Sequence, residues 1–143
     1  MGAALAEARA SEAEDRPDGA VAVLDDAMVA TGRRQVAATG DPTAHAVMVV
    51  LREAARRLGR TSLAGLTVFS VREPCAMCVG GLLASDADGL VYALADAGEG
   101  AAGSALQLAD CENLPRRLHV VSGIMQAEAE DLFGASVGGR RSQ

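Results

Sequence analysis

His45, Cys75 and Cys78 are the side chains of this sequence whose types and spacing could hold a metal ion. Zinc takes imidazole nitrogen and thiolate sulfur in a tetrahedron. A catalytic zinc site uses three protein ligands and leaves the fourth position to water. One His and two Cys give that count. Cys75 and Cys78 are three residues apart, so on a helix their thiols lie on one face. Pro74 just before them suits a first helical turn, where the helix N-terminus favours thiolate over thiol. His45, behind Asp41-Pro42-Thr43, is expected in the first turn of its own helix. The spacing alone leaves alternatives open. A Cys-x-x-Cys also serves as a redox pair or as two buried thiols, and a single His is commonly a core or surface residue. Cys111 reads as a free loop thiol and His119 as an ordinary strand residue.

The elements around these residues follow from periodicity and breakers. Residues 3–14 are rich in Ala, Glu and Arg and suit a helix. Arg16-Pro17-Asp18-Gly19 breaks it. Ala20–Leu24 and Met28–Thr31 read as strands joined by a turn at Asp25-Asp26, and 32–40 as a loop. Asp41 can cap the next helix, which ends near Gly59. Ala44, Val47, Leu51, Ala54 and Leu58 form its apolar stripe. Thr67–Val71 is a buried-type strand. The helix opened by Pro74 runs to about Ser85, and Leu90–Ala95 is a further strand. Gly98–Gly103 suits a loop, Ser104–Ala109 a short helix, Leu118–Val121 a last strand and Ile124–Phe133 a last helix. Alternating strands and helices imply an α/β domain with a mixed sheet. One domain is expected over 1–143, with a core over 3–133 and a frayed tail over 134–143.

Composition narrows the function classes. No apolar run approaches the ~18 residues of a membrane span, and the first residues lack the basic start and apolar stretch of a leader. Both point to a cytoplasmic protein. Three cysteines, an odd number, argue against a disulfide framework. The net charge is −6, all 13 basic residues are Arg, and the aromatics are Phe69, Tyr92 and Phe133 alone. Nucleic-acid binders usually carry a basic face and stacking rings, so the balance disfavours a tRNA partner.

Asp41-Pro42-Thr43-Ala44-His45-Ala46-Val47 resembles the Asp-Pro-Thr-Ala-His-Ala-Glu motif of the cytidine and deoxycytidylate deaminase superfamily at every position but the last. Glu73-Pro74-Cys75-Ala76-Met77-Cys78 resembles its Glu-Pro-Cys-Pro-Met-Cys with one change. Gly100-Ala101-Ala102-Gly103-Ser104 is similar to a loop of its tRNA adenosine deaminase and guanine deaminase branch, and Gly19-Ala20-Val21 resembles that branch's first strand. The resemblance implies a three-layer α/β/α cytidine-deaminase-like fold with a central mixed sheet of about five strands. It also implies Zn2+ on His45, Cys75 and Cys78, a nucleobase- or nucleoside-like ligand, and a homodimer. In that family zinc activates a water that attacks the amidine-like carbon of the base, and a Glu that is not a ligand moves the protons.

Two departures bear on function. Val47 stands where the resemblance implies the proton-shuttling Glu. Glu73 is the nearest carboxylate by sequence, but the family has it alongside its catalytic Glu. Arg34 stands where the branch has a substrate-binding Asn; it either recognises a phosphate or carboxylate or lies on the surface. The expected function is zinc-dependent hydrolytic deamination of an amino-heterocycle. The alternative is a catalytically inactive zinc-binding pseudo-deaminase acting as a binding or regulatory subunit.

Overall fold

A computed structural model describes residues 1–11 and 15–138 of the chain, 135–138 by backbone alone. Five strands form one sheet, β1 (Gly19–Leu24), β2 (Ala27–Arg33), β3 (Thr67–Arg72), β4 (Gly89–Leu94) and β5 (His119–Ser122), in the order β2-β1-β3-β4-β5. β1 is antiparallel to both neighbours, whereas β3, β4 and β5 run parallel. The sheet is therefore mixed, as expected. β1 and β2 meet through two residues, with Leu24 opposite Ala27. Asp25 and Asp26 both adopt positive φ, 50° and 64°. That is the conformation of the tight hairpin turn that matches strand twist, and one Asp tolerates better than most residues.

Period-two alternation divides the apolar side chains between the two faces. Ala20, Ala22, Val68 and Leu90 pack with Val47, Val50 and Leu51 of α3 (Ala46–Leu58) and Cys78, Val79 and Leu82 of α4 (Ala76–Ala84). Val21, Val71 and Ala93 pack with Ala4, Leu5 and Ala8 of α1 (Gly2–Arg9) and Ala129 of α5 (Gln126–Gly138). A sheet with helices on both faces gives the three layers. Gly19 lets α1 lie directly on β1, because a Cβ there would run into the Ala4 carbonyl oxygen.

Several boundaries differ from the sequence reading. α1 ends at Arg9 rather than residue 14. The supposed loop 32–40 contains the end of β2 and a short helix α2 (Val36–Thr39), which Gly40 closes at φ 70°. Asp41 does not cap α3. Its Oδ1 accepts the Thr43 N–H at 2.8 Å and the Thr43 hydroxyl at 2.7 Å, a local turn that delays the helix to Ala46. Residues 104–109 are not helical; Ala102 bridges to Gln107 across a tight loop. α5 runs on through Gly134 to Gly138, where a frayed tail was expected, and the rest of the tail lies outside the described residues. Among the described residues, no helix is long and apolar enough to cross a membrane.

Candidate metal centre

Two helix starts converge on one point. His45 is the residue flanking the N-terminus of α3 and Cys75 that of α4, both with extended backbone. His45 thus sits just before its helix rather than inside the first turn. Cys78 lies one turn into α4 and is buried. Neither helix start carries a side-chain cap, so their first N–H groups remain available to favour anionic sulfur.

The donor atoms are close. Cys75 Sγ lies 3.4 Å and Cys78 Sγ 3.6 Å from His45 Nδ1, and the two sulfurs are 3.7 Å apart. Tetrahedral zinc with ordinary Zn–S and Zn–N bonds sets S···S near ~3.8 Å and S···N near ~3.6 Å. The chain's own spacings match without rearrangement, so a nitrogen-and-two-sulfur set of the right size stands ready for zinc. Among the described residues, this trio is the cluster of His, Cys, Asp and Glu able to hold an ion. Without metal the thiols share a proton. The hydrogen bond from Cys78 is the main cause that brings Cys75 down to about 5, with the Cys78 N–H and the His45 charge helping against burial. Cys78 is pushed up by the same hydrogen bond, by burial and by the charges of Cys75 and Asp18. A bound dication would deprotonate both.

The trio lies at the carboxyl end of β3, where α/β proteins place their ligand sites. It opens into a narrow cavity of about 30 Å3 whose walls include Val47, Ser70, Asp18 and Glu73. Val47 is 2% exposed and belongs both to the α3 core stripe and to this wall. Its packing role therefore holds, and no proton-transfer group stands at that position.

Glu73 is fully engaged elsewhere. Its carboxylate accepts N–H bonds from Asp96, Ala102 and Ser104 at 3.0 to 3.1 Å, together with the Ser104 hydroxyl. It pins the 100–104 loop, where Gly100 leaves room that a Cβ would take from the Glu73 carboxylate. Arg34 is neither free nor a surface residue. Its guanidinium is 3.7 Å from the Asp15 carboxylate, with side chains 18% and 1% exposed. Asp15 in turn accepts the Ala37 and Ala38 N–H groups that open α2. Arg34 does line the cavity, as do Arg16, Arg72, Asp96 and Glu99. Arg72 is paired with Asp96 at 2.8 Å and Arg16 with Glu99 at 3.5 Å. Cys111 is a half-buried free thiol in a connection, and His119 is an exposed residue of β5.

Sequence reasoning missed Asp18, which lines the cavity immediately before β1. In the sequence it is only part of a breaker beside Pro17 and Gly19. The signal available was a carboxylate directly before the Gly-Ala-Val strand start.

Residues 1–94 match the cytidine and deoxycytidylate deaminase zinc-binding region. The tRNA-specific adenosine deaminase of Bacillus subtilis is 32% identical over 136 residues, covering 94% of this chain and 84% of the relative. A solved structure from work on A-to-I editing by tRNA:A34 deaminases superposes with TM-score 0.88 at 32% identity, over 92% of this chain and 96% of that one. Guanine deaminase from Nitrosomonas europaea shares the fold, with TM-score 0.74 at 24% identity, over 92% and 79%.

Proposed function

Since the chain belongs to the cytidine and deoxycytidylate deaminase zinc-binding family, we propose that it hydrolytically deaminates a small amino-substituted heterocycle, a nucleobase or nucleoside, at the His45–Cys75–Cys78 site. The observation that carries this reading is the agreement of the three donor spacings with zinc coordination at the floor of a solvent-reaching cavity. Zinc held there supplies Lewis acidity and polarises water toward a nucleophile. The chain's own groups shape the rest. Val47 and Ser70 wall the cavity, and Pro74 leads the backbone into Cys75.

The preference for a small substrate rests on charge. Arg16, Arg34 and Arg72 face the cavity, but each is paired with a carboxylate, and the chain carries −6 overall. An RNA backbone calls for cationic groups not already neutralised. The same reading takes the protein as a cytoplasmic homodimer, supported by the exposed Val121, Ile124 and Met125 along and after edge strand β5; sedimentation of the purified chain tests the assembly.

Purified zinc-loaded protein is assayed for ammonia release from nucleobases, nucleosides and tRNA. Turnover on a free base or nucleoside, lost in Cys75→Ala together with the metal, is the expected result. Turnover on tRNA alone would overturn the substrate class, and no release from any of them would overturn the activity. Val47 favours a second reading, a zinc-stabilised pseudo-deaminase that binds without turning over; turnover by the unaltered chain eliminates it.

A further inference from the structure

Val47 has no proton to transfer, and four carboxylates, Asp18, Glu73, Asp96 and Glu99, line the cavity beside it. Glu73 is held by three backbone N–H groups and the Ser104 hydroxyl. Asp96 accepts from Arg72 and from the Gly98 and Glu99 N–H groups. Glu99 is exposed and paired with Arg16 at 3.5 Å. Asp18 differs from all of these. Its Oδ1 accepts the Gly19 N–H at 2.9 Å and the Arg72 N–H at 3.3 Å. No hydrogen bond among the described residues ends on its Oδ2. No buried side-chain oxygen among them lacks a partner, so Oδ2 keeps contact with the solvent of the cavity.

On the deaminase reading above, we infer that Asp18 is the carboxyl that handles protons at this metal site, in the place of a residue at position 47. Asp18 and Val47 line the same cavity as His45, Cys75 and Cys78. The Asp18 charge acts on Cys78, so the carboxyl and the thiol share one electrostatic environment. One oxygen is fixed by backbone and the other is free, which is what a positioned acid–base group needs. In the metal-free chain burial also holds the Asp18 carboxyl up at about 6, against the pull of the Arg72 N–H and charge.

The reaction balances with Asp18 alone moving protons. Oδ2 takes a proton from the attacking water as the O–C bond forms and the C=N pair retreats to the ring nitrogen, which receives that proton. Oδ2 then takes the remaining hydroxyl proton as C=O forms, and passes it to the amino group as the C–N bond breaks. The products are the lactam and ammonia.

Two measurements test this on the full chain. With carboxyl-13C aspartate, the Asp18 resonance is assigned through Asp18→Asn and followed as zinc is added. It is expected to move and to titrate at lower pH, since a dication favours the carboxylate, while Asp88, exposed just before β4, stays put. In kinetics, Asp18→Asn is expected to lower kcat about 100-fold or more, with KM and zinc content unchanged within about threefold, and Asp18→Asn/Val47→Glu to recover much of the loss. An Asp18 resonance indifferent to zinc overturns the inference, as does a kcat for Asp18→Asn within about threefold of the unaltered chain. A chain that deaminates nothing while its Asp18 signal answers to zinc overturns the deaminase reading and upholds the placement of this carboxyl.

Discussion

Replacing Asp18 with Asn should stabilise the metal-free chain at neutral pH and do less in acid. The Asp18 carboxyl is raised from 3.8 to about 6, first by burial, against hydrogen bonds from Arg72 and Gly19 and the charges of Arg72 and Arg16. A raised folded value means the native state binds more protons than the unfolded chain between those two values. Stability therefore falls as pH rises through that window, and the full cost is present above about 6. At 1.36 kcal/mol per pH unit the gap amounts to about 3 kcal/mol at about pH 7.5, and about 1 kcal/mol at about pH 4.5. The solvent contact of Oδ2 makes these upper figures. Asparagine keeps an oxygen for the Gly19 and Arg72 N–H groups and never ionises, so the variant escapes the cost. For a chain of this size, each kcal/mol moves the melting point by about 2–4 °C, so Asp18→Asn should melt about 6–12 °C higher near neutrality. The assay is thermal unfolding of both proteins in chelator at the two pH values; a bound dication would itself favour the carboxylate and mask the effect. An advantage that does not grow with pH, or a variant less stable at neutral pH, would refute the reasoning.

Glu73→Gln should loosen the 100–104 loop, because three N–H groups lose a charged acceptor in a buried setting; a loss of about 2–4 kcal/mol in denaturant unfolding is expected. Arg34→Ala should cost about 1–3 kcal/mol, since it leaves the buried Asp15 carboxylate only the Ala37 and Ala38 N–H groups; the same titration checks it, with Arg34→Lys recovering part. Gly19→Ala should destabilise by roughly 1–3 kcal/mol through the close approach of α1, seen as faster hydrogen exchange in Gly2–Arg9 than in α3.

The parts of this molecule legible in its sequence are those governed by local pattern. The strands read correctly because runs such as Thr67–Val71 are rich in β-branched and aromatic residues. The three candidate donors come together because a Cys-x-x-Cys after Pro carries much of its geometry with it, although Cys75 sits just before α4 rather than inside the helix that Pro74 was expected to open, with Cys78 in its first turn. Errors arose where a side-chain partner, near in the chain or far from it, decides. Asp41 looks like a cap until the Thr43 hydroxyl and N–H take its carboxylate. Residues 36–39 look like loop because the group satisfying their first N–H groups is Asp15, over twenty positions earlier. Arg34 could not be placed between surface and ligand because its partner is that same Asp15. The loop at 104–109 looked helical by composition, but Glu73 claims the Ala102 and Ser104 N–H groups.

The same long-range logic explains why a carboxyl at position 18 can serve where one at position 47 is lost. A side chain at 47 rides on α3, and the position of α3 is set by packing against β1 and β2 across Ala20, Ala22 and Ala30. Val47 adds to that packing; a Glu there would have to leave the stripe or be buried at a cost. Asp18 does not ride on α3. Its Oδ1 is fixed by the N–H of Arg72, the last residue of β3, and three residues further on the chain reaches Cys75. Carboxyl and ligand are thus referred to one strand end by a hydrogen bond and a short covalent path. On that inference position 47 can be apolar, and the buried stripe of α3 runs uninterrupted from Val47 through Val50 and Leu51 to Ala54.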